Sequence, residues 1–522
     1  MEPTSKDEKQ AASPAVAANE DEKLFKTVIH EGLFSTGAPP PAPPFSVFTR
    51  GQKRWISWMA AFGAMFSTLN SFIYFPAVVP MARDLNVSVS LINLTITCYL
   101  IVAGLAPAVM GDLADHDGRR PVYILMFVLM LGANIGLAVQ DSYPALFVLR
   151  MIQSAGSSGT FGAANGVISD VASVAERGSY TGTLILFTNT APSFGPVLSG
   201  VLAEFASWRW IFWFLTILVS CHGVLLILFF PETQRKLVGN GSRRVHGFLY
   251  QSLFWKVTKQ EHVLEKKTQP EERVKRKAHI PNPLACVPML FEKGSFCTMF
   301  LGGVNYAVKM TIQASLGSQC ISIYNLNYLE AGLIYLPAGV SGGLGAKFTG
   351  QFLDWTDLVF RTDKRMCIKL DGSFQRGEDI SDFPIEKVRL KGAYTLLMIT
   401  AIGTAGYGLA LMTRTHISVM LILQFIISFT TSSIIAIYNT LLTDLNVSKA
   451  ATVRGASNLV RCVLAGAFIA ALEPLAQTLG LGWCFGVFAI LQLFSIPPVW
   501  LLNTHGRRWR EERAARNNEC DD

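Results

Sequence analysis

Gly111-Asp-Leu-Ala-Asp-His-Asp-Gly-Arg-Arg120 stands between two long apolar runs, 91–110 and 121–139. Asp112, Asp115, Asp117, Arg119 and Arg120 are too polar for hydrocarbon, so the stretch reads as a charged turn at a membrane face. Gly111 and Gly118 permit a positive φ or a close backbone approach. Asp115 and Arg119 are near enough to pair with each other or with a neighbouring helix end.

Working outward, the composition agrees. The chain has 522 residues, 50% of them hydrophobic and 16% charged, with a mean hydropathy of +0.35. Globular chains carry about 25% charged residues. Here the apolar residues gather in runs of about 20, the length that crosses a bilayer. The fold class expected is an all-α polytopic membrane protein. The net charge of +8 is no nucleic-acid signal, because the basic residues lie in a few loops, as orientation in a membrane requires. The nine cysteines are scattered with no C-x-x-C pair, so neither a disulfide framework nor a metal site is expected.

Hydropathy places six spans at about 55–81, 91–112, 121–140, 144–170, 179–205 and 208–230. Six more fall at 295–323, 328–354, 392–413, 416–444, 454–478 and 482–502. The domain reading is a disordered tail (1–54), a first six-helix bundle (55–230), a central loop (231–293), a second bundle (294–503) with an insert at about 356–391, and a tail (504–522). The first apolar run starts at Trp55 and is too long for a cleavable signal peptide. Central loop, insert and C-terminal tail carry the basic residues, and with both termini in the cytoplasm all of these fall on the cytoplasmic side. A weak repeat supports two related halves: Gly111-Asp-Leu-Ala-Asp115 ends the second span and Gly350-Gln-Phe-Leu-Asp354 the eighth. The substrate path would run between them.

The order G-x-L-A-D-x-x-G-R-R, set between the second and third spans, resembles the signature loop of the major facilitator superfamily of transporters. Arg150, in Leu149-Arg-Met-Ile-Gln-Ser-Ala-Gly-Ser-Ser-Gly159, and Gly195-Pro196-Val-Leu-Ser-Gly200 in the fifth span resemble two further motifs of that superfamily. The first implies proton coupling at Arg150. The second implies the antiporter branch, with Gly195, Pro196 and Gly200 at the bundle interface; Ser199 stands where a glycine is usual. Ser71-Phe-Ile-Tyr-Phe-Pro76, Phe212-Trp-Phe-Leu, Pro231-Glu-Thr, Asp382-Phe-Pro-Ile-Glu386 and Ser457-Asn-Leu-Val-Arg-Cys462 narrow the likeness to the fungal twelve-span drug:proton antiporters, the group of quinidine-resistance-type pumps and citrate exporters. The resemblance covers roughly residues 50–505. It implies two pseudo-symmetric six-helix bundles, exchange against protons and a latch at Gly111, Asp115, Gly118, Arg119 and Arg120. Citrate exporters of the group carry an arginine and a glutamine in the fifth span, near which Thr188 and Pro192 stand here. That departure counts against citrate itself.

Charges inside the spans bear on the cargo. Lys309 lies about 14 residues into the seventh span, roughly 20 Å deep, and Arg461 lies inside the eleventh. Such a group costs about 2.5–3.5 kcal/mol on insertion scales and needs an offset. No aspartate or glutamate occurs mid-span; Asp84, Asp170, Glu204, Glu330, Asp444 and Glu473 sit near predicted ends. Cations without carboxylates suit an anionic cargo. Lys309, Arg461, Tyr74, Asn305, Tyr306, Tyr438 and Asn439 are the pocket candidates, chosen by polarity and span position. His222 in the sixth span can carry a proton.

The function expected is a proton-coupled efflux antiporter of a small organic compound, an organic acid or secreted secondary metabolite, in the plasma or vacuolar membrane. Its partners are the substrate, protons and the lipid bilayer, with no nucleic acid, no cofactor and a monomeric chain. Two alternatives stay open: a multidrug or polyamine exporter of the same fold, and a non-transporting sensor. An enzyme is not expected, since no His, Asp, Ser or Cys spacing assembles a catalytic set.

Overall fold

The computed structural model describes residues 45–243, 247–254, 287–362, 385–446 and 450–521. Most of the expected disordered tail, much of the central loop and insert, and the side chains of Asp354 and Arg516 lie outside the described residues.

All regular structure among the described residues is helical. The long helices are α1 (Arg50–Phe72), α2 (Val89–His116), α3 (Arg119–Val139), α4 (Tyr143–Val171), α5 (Val174–Phe205) and α6 (Arg209–Phe229). The second half has α7 (Lys293–Tyr324), α8 (Leu336–Thr362), α9 (Ala393–Met412), α10 (Ile417–Leu445), α11 (450–479), α12 (481–493) and α13 (Ile496–Asp521). Gly480, with φ 77° and ψ 161°, turns the chain between α11 and α12. Among the described residues these make twelve crossings, the last formed by α12 and the start of α13.

Among the described residues, seven segments are long and apolar enough to cross a membrane by length and composition alone, and one of them covers both α11 and the twelfth crossing. The crossings outside that set are α4, α5, α7 and α8. Their sequences explain why: Arg150, Gln153 and four serines and threonines at 154–160 in α4, or Gly339, Gly342, Gly343 and Gly345 in α8. Polar and small residues lower hydropathy where helices face protein rather than lipid.

Local chemistry sets the ends. Thr49 and Gln52 form a capping box that starts α1, and the Ser88 hydroxyl accepts from the Leu91 amide at the start of α2. Prolines divide three spans that hydropathy reads as continuous. α1 stops before Pro76 and resumes as a short helix, Val78–Asp84. The eighth crossing is split into Tyr328–Leu333 and α8, beside Pro337, and the twelfth breaks before Pro497-Pro498.

The charged stretch is mostly not a turn. α2 continues through it to His116, because once past the hydrocarbon a helix can carry charges into water. The turn is Asp117-Gly118 alone, and Gly118 takes φ 107°. Gly111, expected to be conformationally special, lies inside α2 with open space where a side chain would point.

α1–α6 pack together as one six-helix bundle and α7–α12 as the other. The halves meet along two seams. In one, α2 lies on α11: the Thr97 hydroxyl donates to the Gly466 carbonyl at 3.1 Å, and the Asn458 amide donates to the Ala103 carbonyl at 2.9 Å. In the other, α5 meets the Tyr328–Leu333 helix and α8. A Cβ on Gly200 would lie 2.5 Å from the Tyr328 carbonyl, and one on Gly332 would lie 2.6 Å from the Pro196 carbonyl. Glu204 accepts from the Tyr328 amide at 2.8 Å, Arg83 donates to the Tyr328 hydroxyl at 3.2 Å, and Phe75 stacks on Tyr335. These contacts lie mid-membrane or on the face opposite the Asp117-Gly118 turn. On the turn's own face, four ion pairs among the described residues each join elements of one half: Lys53–Glu176, Arg119–Asp170, Arg389–Asp444 and Arg513–Glu292.

Candidate functional site: interior cations and the helix-end clamp

At the turn, Arg119 bridges two acids. Its guanidinium lies 2.6 Å from Asp115 and 3.1 Å from Asp170 at the end of α4. Gly166 makes the approach possible, since a Cβ there would meet that guanidinium. Glu232, just past α6 and 5% exposed, supplies what the sequence did not reveal. Its carboxylate accepts from the amides of Arg119 and Arg120, at 2.9 and 3.1 Å, so it caps α3 from another part of the chain. It also accepts from Thr233 and Gln234. A carboxylate on the first amides of a helix satisfies orphan donors and complements the positive end of the dipole. Arg120 donates to the carbonyls of Leu249 and Ile227, tying down the chain after α6.

The second half repeats part of this arrangement. Arg389, preceding α9, lies 2.9 Å from Asp444 near the end of α10, as Arg119 at the start of α3 meets Asp170 near the end of α4. The paired arginine and aspartate are therefore a described structural repeat, whereas the expected Gly350-to-Asp354 match ends on a side chain outside the described residues.

Arg150 is 1% exposed. It does not snorkel to the helix end. Its guanidinium lies between two tyrosines, 4.0 Å from the Tyr74 ring centroid and 4.2 Å from that of Tyr99. One nitrogen donates to the Asn70 carbonyl and the Gln153 amide oxygen, and Gln153 in turn donates to Asn134. Desolvated cation–π contacts are worth about 2 kcal/mol each. They replace the carboxylate that Arg150 lacks among the described residues. Tyr74, expected in the substrate pocket, belongs to this sealed group, with its hydroxyl 2.7 Å from that of Thr95.

His222 is likewise enclosed. Phe62, Phe66 and Phe127 surround the imidazole at centroid distances of 5.0, 6.0 and 5.4 Å. One ring nitrogen is bonded to the Met59 backbone and Nε2 has no partner. All these residues belong to α1, α3 and α6, so His222 sits inside the first bundle and away from both seams.

Lys309 lies in the middle of α7 and is half-buried. Its ammonium donates to the Ser432 hydroxyl of α10 at 2.8 Å. Gly342 of α8 leaves the space: a Cβ there would lie 3.4 Å from Lys309 Nζ, 3.2 Å from Ser432 Oγ and 3.6 Å from Ser428 Oγ. An ammonium has three donors, and only the Ser432 bond engages them among the described residues. Arg461 of α11 is half-buried too. Its guanidinium lies 5.0 Å over the Tyr306 ring and donates to Asn458 at 3.0 Å. Asn458 is the residue that reaches Ala103 across the seam.

The structure thus separates the expected pocket residues. Lys309, Arg461 and Tyr306 lie on partly open helix faces of the second half. Asn305 and Tyr438 are buried within that half: the Asn305 amide turns back to the Leu301 carbonyl, and the Tyr438 ring packs beside Gly302. Asn439 is exposed. Gly195 also departs from expectation, because its neighbours are Leu69 and Ile73 of its own half, not the other bundle; Pro196 and Gly200 do meet the second half. Ser432, Gly342 and Tyr99 carry no sequence mark of their own, and Asn458 had one only as part of Ser457-Asn-Leu-Val-Arg-Cys462. Glu232 had one, in Pro231-Glu-Thr, though not for the capping it performs.

Residues 60–470 match the family model described as Major Facilitator Superfamily. The chain is 36% identical to the MFS-type transporter phiD of a fungal species over 90% of its length and 71% of that protein's. It is 34% identical to MFS-type transporter tstD of Talaromyces stipitatus, covering 91% of this chain and 86% of the other. It is 33% identical to citrate exporter 1 of Aspergillus niger, covering 91% and 90%. Among solved structures, a D-xylose-proton symporter superposes with a TM-score of 0.57 at 17% identity, over 84% of this chain and 96% of that one. A peptide transporter superposes with a TM-score of 0.59 at 12% identity, over 85% and 94%.

Proposed function

The chain belongs to the major facilitator superfamily, and from that premise we propose that it exports a small carboxylate-bearing compound by alternating access. The observation that carries the cargo is the pair of half-buried cations, Lys309 and Arg461, in the middle of the second half with hydroxyl, amide and ring partners and no carboxylate among the described residues. A cargo entering from a water-filled cleft would offset one of these charges with each carboxylate it carries. The planar guanidinium fixes its orientation and the ammonium adds a point charge. That one relative bears the name of a citrate exporter supports the anion class.

The basic loops support a cytoplasmic position for the turn's face, and the membrane proposed is the plasma membrane, with the vacuolar membrane as the alternative. The seams then close toward the outside, which is the inward-facing arrangement. Export would rock the bundles until the Glu204, Arg83 and Phe75 contacts part. Asp115, Arg119 and Asp170 would brace the cytoplasmic ends during that motion. The family likeness further implies exchange for protons.

The test is efflux from loaded vesicles of an organic acid, a neutral drug and a polyamine, side by side. Lys309→Ala and Arg461→Ala should each raise KM for the acid about tenfold or more and leave the neutral drug unchanged. Equal losses for all three would make these cations structural. Wild-type transport of polyamine without acid would instead select the drug or polyamine reading.

A further inference from the structure

One side chain holds both an open cation and the contact between the halves. Asn458 lies one turn before Arg461 on α11. Its amide oxygen accepts from Arg461 Nε at 3.0 Å, and its amide nitrogen donates to the Ala103 carbonyl of α2 at 2.9 Å. The two bonds use opposite ends of one planar amide, so each fixes the angle of the other. The two helices approach closely at this level. A Cβ on Gly104 of α2 would lie 3.2 Å from Cys462 Cβ and 3.4 Å from the Leu459 backbone. The other bond of this seam, Thr97 to Gly466, lies farther from the Asp117-Gly118 turn.

Arg461 is held from two directions, by the Tyr306 ring below its guanidinium and by Asn458 at Nε. A carboxylate binds a guanidinium in its plane, with two parallel N–H bonds along one edge. Asn458 occupies the Nε edge. A carboxylate arriving there replaces a neutral acceptor with a charged one, and such bonds are about twice as strong. The displaced amide oxygen keeps a donor in the Cys462 thiol, 3.8 Å away. It loses the bond that set its angle toward Ala103.

We infer that Asn458 is an interlock: it holds the α2–α11 seam closed while Arg461 is empty, and the cargo releases it by taking Arg461 Nε. This rests on the carboxylate-cargo reading above. The order suits export. Cargo reaches Arg461 from the open side, its carboxylate frees Asn458, and Asn458 lets go of Ala103, so the seam parts toward the outside. Coupling of this kind is reciprocal. If cargo loosens the seam, a loosened seam binds cargo more tightly by the same factor. Asn458 acts through Arg461 and is a positioning residue.

The experiment uses the full chain in detergent with labelled citrate, succinate and gluconate. Asn458→Ala should bind a transported acid severalfold more tightly, because the carboxylate no longer has to displace an amide. Asn458→Asp should bind it about tenfold more weakly, because the carboxylate it introduces occupies Arg461 itself. Asn458→Gln, which keeps both amide groups, should restore binding close to that of the unmodified protein. Thr97→Cys with Gly466→Cys reports the seam, since a Cβ on Gly466 would lie 3.3 Å from the Thr97 side chain. Oxidation should join this pair readily without acid and severalfold more slowly with it, as read by mass spectrometry of the joined peptides. When Asn458→Ala is added, joining should be slow from the start and acid should change nothing. Weaker binding by the alanine and aspartate variants alike, or a seam that answers acid equally with and without Asn458, would overturn the inference while leaving acid export standing. If none of the acids binds while a neutral drug or polyamine does, the cargo reading falls and takes this inference with it.

Discussion

The two halves place positive charge in the same membrane and solve its cost in opposite ways. In the first half Arg150 is enclosed: two tyrosine faces, a backbone carbonyl and the Gln153–Asn134 amide chain surround it, and 1% of its surface remains exposed. Its Nε and Nη2 have no hydrogen-bond partner among the described residues, but they are sealed from solvent. In the second half Lys309 and Arg461 are half-buried, so part of each side chain stays open. Arg150 and Arg461 both sit on tyrosine rings, so the ring alone does not distinguish them. What differs is whether the remaining N–H groups are covered. A covered cation is part of the scaffold; an uncovered one at the same depth is a place for an anion.

Removal of Arg150 should have the largest effect. Arg150→Ala leaves Gln153 without its partner and opens a void between two rings, at a cost of about 3–5 kcal/mol. Thermal unfolding in detergent should show a large loss of stability, and transport of every cargo should fall together. Next come Lys309→Ala and Arg461→Ala. A tenfold rise in acid KM corresponds to about 1.4 kcal/mol, and the melting temperature should change little. That contrast breaks if either variant unfolds as readily as Arg150→Ala.

The cap on α3 is an intermediate case, a buried acid that serves the fold. Glu232→Ala uncovers the first amides of α3, which costs about 1–3 kcal/mol, and should slow all cargos equally. Glu232→Gln, which keeps one acceptor oxygen, should recover part of the loss. The smallest effect expected is at Gly342. A methyl there meets Lys309 Nζ at 3.4 Å and Ser432 Oγ at 3.2 Å, so Gly342→Ala should raise acid KM about two- to fivefold, or under about 1 kcal/mol. A neutral drug should not notice it.

The features legible in the sequence are those written in local spacing. The Asp115–Arg119 pair is an i,i+4 contact and could be read directly. Asp170, the second partner of Arg119, comes from 51 positions away, and only packing of α4 on α3 brings it there. Hydropathy understates α4, α5, α7 and α8, and so two of the helices with interior cations, α4 with Arg150 and α7 with Lys309. Depth along a span was legible too, which is why Lys309 and Arg461 could be singled out. Direction around the helix was not. Tyr74 turns toward Arg150, Asn305 and Tyr438 turn into the second half, Asn439 is exposed and Gly195 faces α1. In helices polar or small on several sides, periodicity does not tell which side meets the other bundle.

The difference between the enclosed and the open cations can be measured on the unmodified protein. Phenylglyoxal attacks guanidinium groups that solvent can reach, and peptide mass spectrometry reads each arginine separately. The account predicts that Arg461 is modified in the folded protein, that a transported organic acid protects it, and that Arg150 stays unmodified until unfolding. Modification of Arg150 at the rate of Arg461, or no protection of Arg461 by any transported acid, would contradict it.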